Sequence, residues 1–285
     1  LLAGAIMLSL GGERRGNVNA VINAVSTAGL VVIAIALLQA ADSVPTGIMG
    51  VYRLGDWPTP FTIVLVVDRL SALMLLLTNV VALAAIVFSL ARWHRAGSHF
   101  HSLFQFLLMG LNGAFLTGDL FNLFVFFEVL LAASYGIALH GSGLARVNAG
   151  LHYIVVNLAA SLLFLVGVSL IYGVSGTLNM ADLAMRIPAI RADDRGLLEA
   201  GAAILGIAFL VKAGMWPLCF WLPPTYASVS PPVAAVFAIL TKVGLYILLR
   251  LWPLLFGSDA GASAQFGREW LLLGGMATLA FGTIG

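Results

Sequence analysis

From its first residue the chain alternates apolar stretches of roughly twenty residues with short polar breaks, a length that matches the hydrocarbon core of a bilayer. The pattern predicts a partial first span at 1–10, then spans at 19–41, 70–91, 100–118, 120–140, 151–173, 201–222 and 232–256, with a ninth starting near Trp270. The apolar run from Phe100 to His140 is too long for one crossing. Thr117, Gly118 and Asp119 supply its break, with glycine as helix stop and aspartate as the next N-cap. One long polar connection falls in mid-chain, at 179–199, with Asp182, Arg186, Arg191, Asp193, Asp194, Arg195 and Glu199 around Pro188. It is expected to be an exposed linker.

Composition turns this pattern into a class. Of 285 residues 61% are hydrophobic and 9% charged, too little polar surface for a soluble globule, so the expected fold is an all-α integral membrane protein, a multi-span helical bundle. Fourteen basic and twelve acidic residues nearly cancel, and no run of like charge points to nucleic acid. Cys219 is the only cysteine, and histidines at 94, 99, 101, 140 and 152 lack the spacing of a metal, haem or iron-sulfur site, so no metal and no cofactor is expected. The chain starts at Leu1 without a methionine and stops at Gly285 inside an apolar run, so both ends are expected to be truncated. Assigning loops to alternate sides gathers Arg14, Arg15, Arg92, Arg95 and Arg146, with one acid, Glu13, in short loops, which are placed in the cytoplasm.

The charges inside the spans carry the chemistry. No arginine lies deep in a span: Arg69 and Arg250 are at span ends. The chain's only two lysines, Lys212 and Lys242, and one carboxylate, Glu128, sit within apolar helices. A charge at that depth costs roughly 2.5–3.5 kcal/mol on insertion scales, which makes such residues functional candidates. Glu128 lies nine residues after Asp119, Lys212 eleven after Gly201 and Lys242 ten after Pro232. At 1.5 Å per residue these are depths of about 14–17 Å, one shared layer near the middle of the membrane. An amine and a carboxyl can each lose their charge by proton transfer, whereas arginine stays protonated. The layer therefore suits lateral proton movement, and the three side chains are expected to face a common interior. The competing reading is a Glu–Lys pair that merely fixes helix packing.

A discontinuity accompanies Lys212. Pro217 follows five residues later, then Pro223, Pro224, Pro231 and Pro232. Proline at 217 removes an amide donor and disturbs the carbonyl at 213, so a helix break is expected at about 212–218, with Pro217 as its cause. Broken helices mark ion sites in transporters, while the plainer alternative is a kink followed by an ordinary loop.

Four stretches then carry a resemblance: GDLFNLFVFFEVLLAASY at 118–135, HYIVVN at 152–157, VKAGMWPLCFWLP at 211–223 and LTKVGLY at 240–246. Together they resemble a membrane subunit of the Mrp-type multisubunit Na+(K+)/H+ antiporters, a family itself similar to the antiporter-like subunits of respiratory complex I and membrane hydrogenases. The resemblance implies that Glu128 matches the family's glutamate on the fifth helix, Lys212 the lysine on the broken seventh and Lys242 the lysine on the eighth, which together form a proton path. Asp68 matches a further family aspartate near the start of the third helix, although its own surroundings read as a helix cap with Arg69 at the interface. His152, at a span entrance, is a candidate proton acceptor from the cytoplasm or a satisfied interfacial histidine. Phe121, Phe124, Phe126 and Phe127 read as lipid-facing or packing residues.

The resemblance also implies two inverted five-helix repeats, of which this chain holds the first. The expected division is 1–99, N-terminal helices; 100–256, the five-helix antiporter-like repeat; and 257–285, a loop and the start of a second repeat. The implied role is a proton-translocating subunit of a secondary cation/proton transporter, not an enzyme. Its partners would be the other subunits, H+ and Na+ or K+ in a bacterial inner membrane, with no nucleic acid. A proton-pumping subunit of a redox-driven complex is the alternative, and a scaffold subunit with a structural ion pair the third reading.

Overall fold

A helix in lipid turns its polar side inward, and in the computed structural model, which describes residues 1–10, 16–58, 62–91, 99–141 and 143–284, the N-terminal helices do so. After a short α1 (Leu2–Ser9) comes α2 (Gly16–Ser43), with Val21, Val25, Val32 and Ile33 exposed and Asn19, Asn23 and Thr27 buried. These polar positions repeat every four residues and so share one stripe. They meet α4 (Phe100–Leu116), where Gln105 Nε2 donates to Asn23 Oδ1 at 2.7 Å and to Thr27 Oγ1 at 3.0 Å. Asn23 Nδ2 lies 3.0 Å from His101 Nδ1. On α3 (Arg69–Ser89), Asn79 exchanges amide hydrogen bonds with Asn112 of α4 at 3.2 and 3.3 Å. Without a hydrophobic drive between helices in lipid, such amide pairs fix which faces meet.

Between α2 and α3 lies an element the apolar pattern does not predict, an antiparallel ribbon of β1 (Ile48–Arg53) and β2 (Val64–Asp68), with Val51 opposite Val66 and Arg53 opposite Val64. Its second strand is short and β-branched, a pattern hidden in a scan tuned to twenty-residue runs. The turn from α4 into α5 (Leu120–Ala138) rests on it: Gly118 N donates to Val64 O at 2.8 Å. Asp119 is the N-cap as expected, its Oδ1 accepting from Asn122 N at 2.8 Å. Gly118 is not the helix stop expected of it: α4 ends at Leu116 with Thr117 as an extended C-cap, and Gly118 lies beyond, where a Cβ would come 3.1 Å from the Val66 side chain.

The 32-residue α6 (Leu144–Ser175) follows. The stretch expected to be an exposed linker is folded. Met180, Leu183 and Ile187, spaced three and four apart, are buried as one face of α7 (Met180–Arg186) and the turn after it, and α8 (Ala192–Ala213) already begins within the stretch. Its charges occupy the other face, where Asp182 pairs with Arg186 at 3.0 Å. After a short α9 (Leu222–Ser228), α10 (Pro231–Phe256) runs through the centre of the bundle, and α11 (Arg268–Ile284) lies on its outside with no buried residue.

Among the described residues six helices, α2, α3, α5, α6, α8 and α10, are long and apolar enough to cross a membrane, with α4 slightly shorter at 17 residues. The ribbon, the α4–α5 turn and α7 lie together, joined by Leu120 N to Leu178 O and Met180 N to Gly118 O, both at 2.9 Å. Glu13, Arg14, Arg15, Arg92 and Arg95, on which the side assignment leans, lie outside the described residues.

The central crossing depends on Gly244. A Cβ there would sit 2.6 Å from Ala213 N and 2.9 Å from Phe209 O, so α10 and α8 meet backbone to backbone. Gly244→Ala is expected to force them apart, a cost of about 1–3 kcal/mol, read as a lowered unfolding temperature of the purified protein. An unchanged melting temperature would contradict the close packing.

Candidate functional site

Lys212 occupies the last turn of α8, and local chemistry fixes where that helix ends. Gly214 adopts φ 69°, its N–H donating to Val211 O and that of Met215 to Leu210 O, both at 3.1 Å. This paired closure, with a left-handed glycine, is the Schellman arrangement. The break therefore falls where the sequence expects it, but its cause is Gly214. Pro217 lies three residues beyond, inside the irregular turn 214–221, and does not itself interrupt a helical hydrogen bond. The freed backbone is also held by a side chain, since Trp221 Nε1 donates to Val211 O at 3.1 Å.

The Lys212 side chain is 4% exposed. Its Nζ donates to Ser161 Oγ of α6 at 3.3 Å and stands 4.7 Å from the centre of the Phe127 ring on α5. Phe164, fully buried, packs against Phe124, Phe127 and Phe209, so aromatic rings wall the amine from lipid and water. One residue on from Phe127 is Glu128, whose Oε1 is buried without a hydrogen-bond partner. Amine and carboxylate feel one another's charge but make no contact ion pair. The helix C-terminus adds partial negative charge beside the amine. Close approach of α6 and α8 makes the pocket: a Cβ on Gly167 would lie 2.8 Å from Leu205 N.

Lys242 is not brought to this pocket. It is exposed on the face of α10 turned to α11, in a cavity of about 650 Å3 bounded by Gly214, Met215, Leu245, Leu271 and Thr278, and its Nζ donates to Thr241 Oγ1 at 3.3 Å. The common interior expected for all three charges holds here for Glu128 and Lys212 only. Depth along a helix does not specify the face: Lys242 and Gly244 are two residues apart, and the face that gives Gly244 to α8 turns Lys242 away. His152 is exposed on α6, its ring 5.9 Å from that of Phe220.

Asp68 caps α3 as its surroundings suggest, with Oδ1 accepting from Ser71 N at 2.7 Å. Its charge partner is Arg250, at 2.7 Å from Oδ2, rather than Arg69, which pairs with Asp42 at 3.3 Å. Arg250 also donates to Tyr246 Oη at 2.9 Å, and Tyr246 to Phe115 O at 2.7 Å. Sequence reasoning missed this network because its ends lie 182 residues apart. Only Tyr246 and Arg250, four apart on one helix face, hinted at it.

At the opposite end of α5, His140 is buried with Nε2 unpartnered, and its carbonyl accepts from Arg146, whose Nε donates to Ser228 O at 2.9 Å. Burial, then the Arg146 charge, holds the imidazole below its ordinary value of 6.5.

Comparison with known proteins follows the same outline. A family profile described as the transmembrane part of NADH:quinone oxidoreductase and the Mrp antiporter matches residues 117–285. A protein of Rhizobium meliloti named as a subunit of a probable K(+)/H(+) antiporter is 63% identical over 288 residues, covering 100% of this chain and 53% of that protein. Among solved structures, the Mrp complex from a Dietzia species matches with a TM-score of 0.80 at 31% identity, covering 88% of this chain and 46% of that one. An archaeal membrane-bound sulfane sulfur reductase matches with 0.81 at 28% identity, covering 96% and 54%. The chain spans about half the length of the curated relatives it matches.

Two outcomes follow from the geometry. Asp68→Asn keeps an oxygen for the Ser71 cap but removes the charge facing Arg250, and is expected to cost about 2 kcal/mol of stability; unfolding in denaturant measures it, and a loss equal to that of Asp68→Ala would contradict the separation of cap from ion pair. For His140 the folded state binds its proton less readily than the unfolded chain, so its contribution is complete above pH 6.5 and is lost as pH falls below that value toward the lowered folded one. Thermal unfolding against pH should show this slope, and His140→Gln should flatten it.

Proposed function

We propose, because the chain belongs to the NADH:quinone oxidoreductase/Mrp antiporter membrane family, that it is part of a proton-translocating subunit of a multisubunit monovalent cation/proton antiporter. The observation that supports this reading most is the sealed Lys212 pocket: a buried amine facing a carboxylate it does not touch, with Ser161 between helices to pass or hold a proton. Two charges in contact would favour a static pair. Two charges held apart, each removable by proton transfer, favour a carrier.

In this reading Glu128 and Lys212 exchange a proton, and Lys242, in its own cavity, continues the path toward the α11 side. Pro217 shapes the irregular turn that borders that cavity. Asp68 serves as a cap and ion-pair anchor, and His152 as an access residue at the α6 surface. Residues 100–256 form the first of two inverted five-helix repeats, 1–99 the preceding helices, and 257–285 the start of the second repeat. The partners are further antiporter subunits and the ions H+ and Na+ or K+, in a bacterial inner membrane, and the subunit is a transporter component, not an enzyme. The likeness to the archaeal sulfane sulfur reductase favours one second reading, a proton-pumping subunit of a redox-driven complex, in which the same residues move protons.

Lys212→Arg tests the carrier role. A guanidinium keeps the charge and much of the volume but does not release its proton. Proton-coupled cation exchange in everted vesicles carrying the full set of subunits, normalised to assembled complex, is expected to fall about 100-fold or more. Wild-type exchange from Lys212→Arg would leave the lysine a packing residue.

A further inference from the structure

The polar stripe of α2 and the start of α4 meet in a hydrogen-bonded network whose donors and acceptors can be reversed together. We propose that His101, at the end of that network, is a proton-binding site: its ring gains a second proton at Nδ1 as the Asn23 and Gln105 side-chain amides turn over in concert, leaving α2 and α4 joined in both states. The site is separate from the Lys212 pocket, goes beyond the proton-translocating reading, and stands whether or not that pocket carries protons.

An amide nitrogen only donates, so Asn23 Nδ2, 3.0 Å from His101 Nδ1, gives its hydrogen to the ring. Nδ1 is then an acceptor, and the neutral imidazole carries its proton on Nε2. The Asn23 side-chain oxygen points the other way, where it accepts from Gln105 Nε2 at 2.7 Å and from Thr27 Oγ1 at 3.3 Å. Gln105 Nε2 also donates to Thr27 Oγ1 at 3.0 Å and, at 3.4 Å, to the Asn23 backbone carbonyl. Its own oxygen accepts from Ser26 Oγ at 3.4 Å. Asn23, Thr27, Gln105 and His101 are buried and Ser26 is half-buried.

A proton arriving at Nδ1 sets two donors face to face. Turning Asn23 alone does not relieve this, because its nitrogen would then meet the Gln105 nitrogen across the same 2.7 Å. Turning both amides does. Nδ1–H then donates to Asn23 Oδ1, Asn23 Nδ2 to Gln105 Oε1 and Thr27 Oγ1, the Thr27 hydroxyl to Gln105 Oε1, and Gln105 Nε2 to Ser26 Oγ, whose own hydrogen rotates away. Each contact is remade in the opposite sense except the long one to the Asn23 carbonyl. One proton enters from water at the start of α4 and the ring gains one positive charge; apart from the new N–H, only hydrogen bonds change.

His101 lies in the first turn of α4, two residues from the exposed His99. On the α5 side it faces His140 across the Phe100 ring, whose centre is 5.4 Å from the His101 imidazole and 5.2 Å from that of His140. Arg146 of α6 is held beyond, on the His140 and Ser228 carbonyls. α1 carries no ionisable side chain, α2 none before Asp42 and α3 none after Arg69, and those two pair near the ribbon. Glu13, Arg14, Arg15, Arg92, His94 and Arg95 lie outside the described residues. The start of α4 carries partial positive charge, which opposes a second proton on the ring. The Asn23 oxygen, once turned to Nδ1, offsets it, so proton uptake and amide reversal go together.

Nitrogen-15 magnetic resonance on the full-length subunit in the assembled complex, labelled at histidine, asparagine and glutamine, tests the site, with His101→Gln, Asn23→Leu and Gln105→Leu assigning its signals. Between about pH 8 and about pH 5, the range in which histidine titrates, Nδ1 of His101 should pass from a bare ring nitrogen to a protonated one. The Asn23 and Gln105 side-chain signals should move with the same midpoint. Asn23→Leu removes the oxygen that the second proton needs, and the doubly protonated fraction of His101 at a given pH is expected to fall about tenfold. Should that variant reduce assembly, the wild-type titration decides alone. A ring that stays neutral throughout, one that carries its proton on Nδ1 already at the alkaline end, or one that protonates while both amides stay still overturns the proposal. So does an Asn23→Leu protein in which His101 protonates as in the wild type.

Discussion

The Lys212 ammonium, sealed between α5, α6 and α8, is the constraint that organises the bundle. Moving such a group from water into an apolar interior costs several kcal/mol, so every wall of its pocket has to return part of that cost. Ser161 supplies an acceptor, Phe127 a ring face, the end of α8 its partial negative charge and Glu128 a counter-charge at a distance. Each provision fixes a helix. Glycine approach brings α6 against α8, the Asp119 cap sets the start of α5, and the Gly214 closure stops α8 as soon as the amine is in place.

The two ends of the bundle are tied by different chemistry. At the ribbon end, Asp68, Arg250, Tyr246 and the Phe115 carbonyl join α3, α10 and α4 through an ion pair continued by hydrogen bonds, and the α4–α5 turn is stitched to the ribbon and to α7. At the other end Arg146 links the His140 and Ser228 carbonyls. Between them the turn 214–221 is irregular, borders the Lys242 cavity, and is bound to α11 by Trp216 N donating to Thr278 Oγ1 at 3.0 Å.

Much of this was legible in the sequence because lipid imposes a simple code. Twenty-residue apolar runs marked α2, α3, α6 and α10 to within a few residues or one long extension, and the rarity of charge within apolar runs marked Lys212, Lys242 and Glu128. What escaped were features whose signal is shorter than a span or distant in sequence. The ribbon is two short strands, α7 hides its amphipathic face among charges, and Arg250 finds Asp68 across 182 residues. Helix rise set a depth for Lys242 but not a face. Proline drew attention to the break, whereas a left-handed glycine three residues earlier makes it.

The central claim is that Glu128 changes protonation while the complex works. Infrared difference spectroscopy on the assembled, full-length complex, driven by a pH step in the presence of Na+ or K+, tests it directly. A carbonyl band of a protonated carboxylic acid should appear, shift on carbon-13 labelling of glutamate and vanish in Glu128→Gln. A Glu128 that stays ionised throughout exchange would contradict the account and leave the buried charges as packing alone.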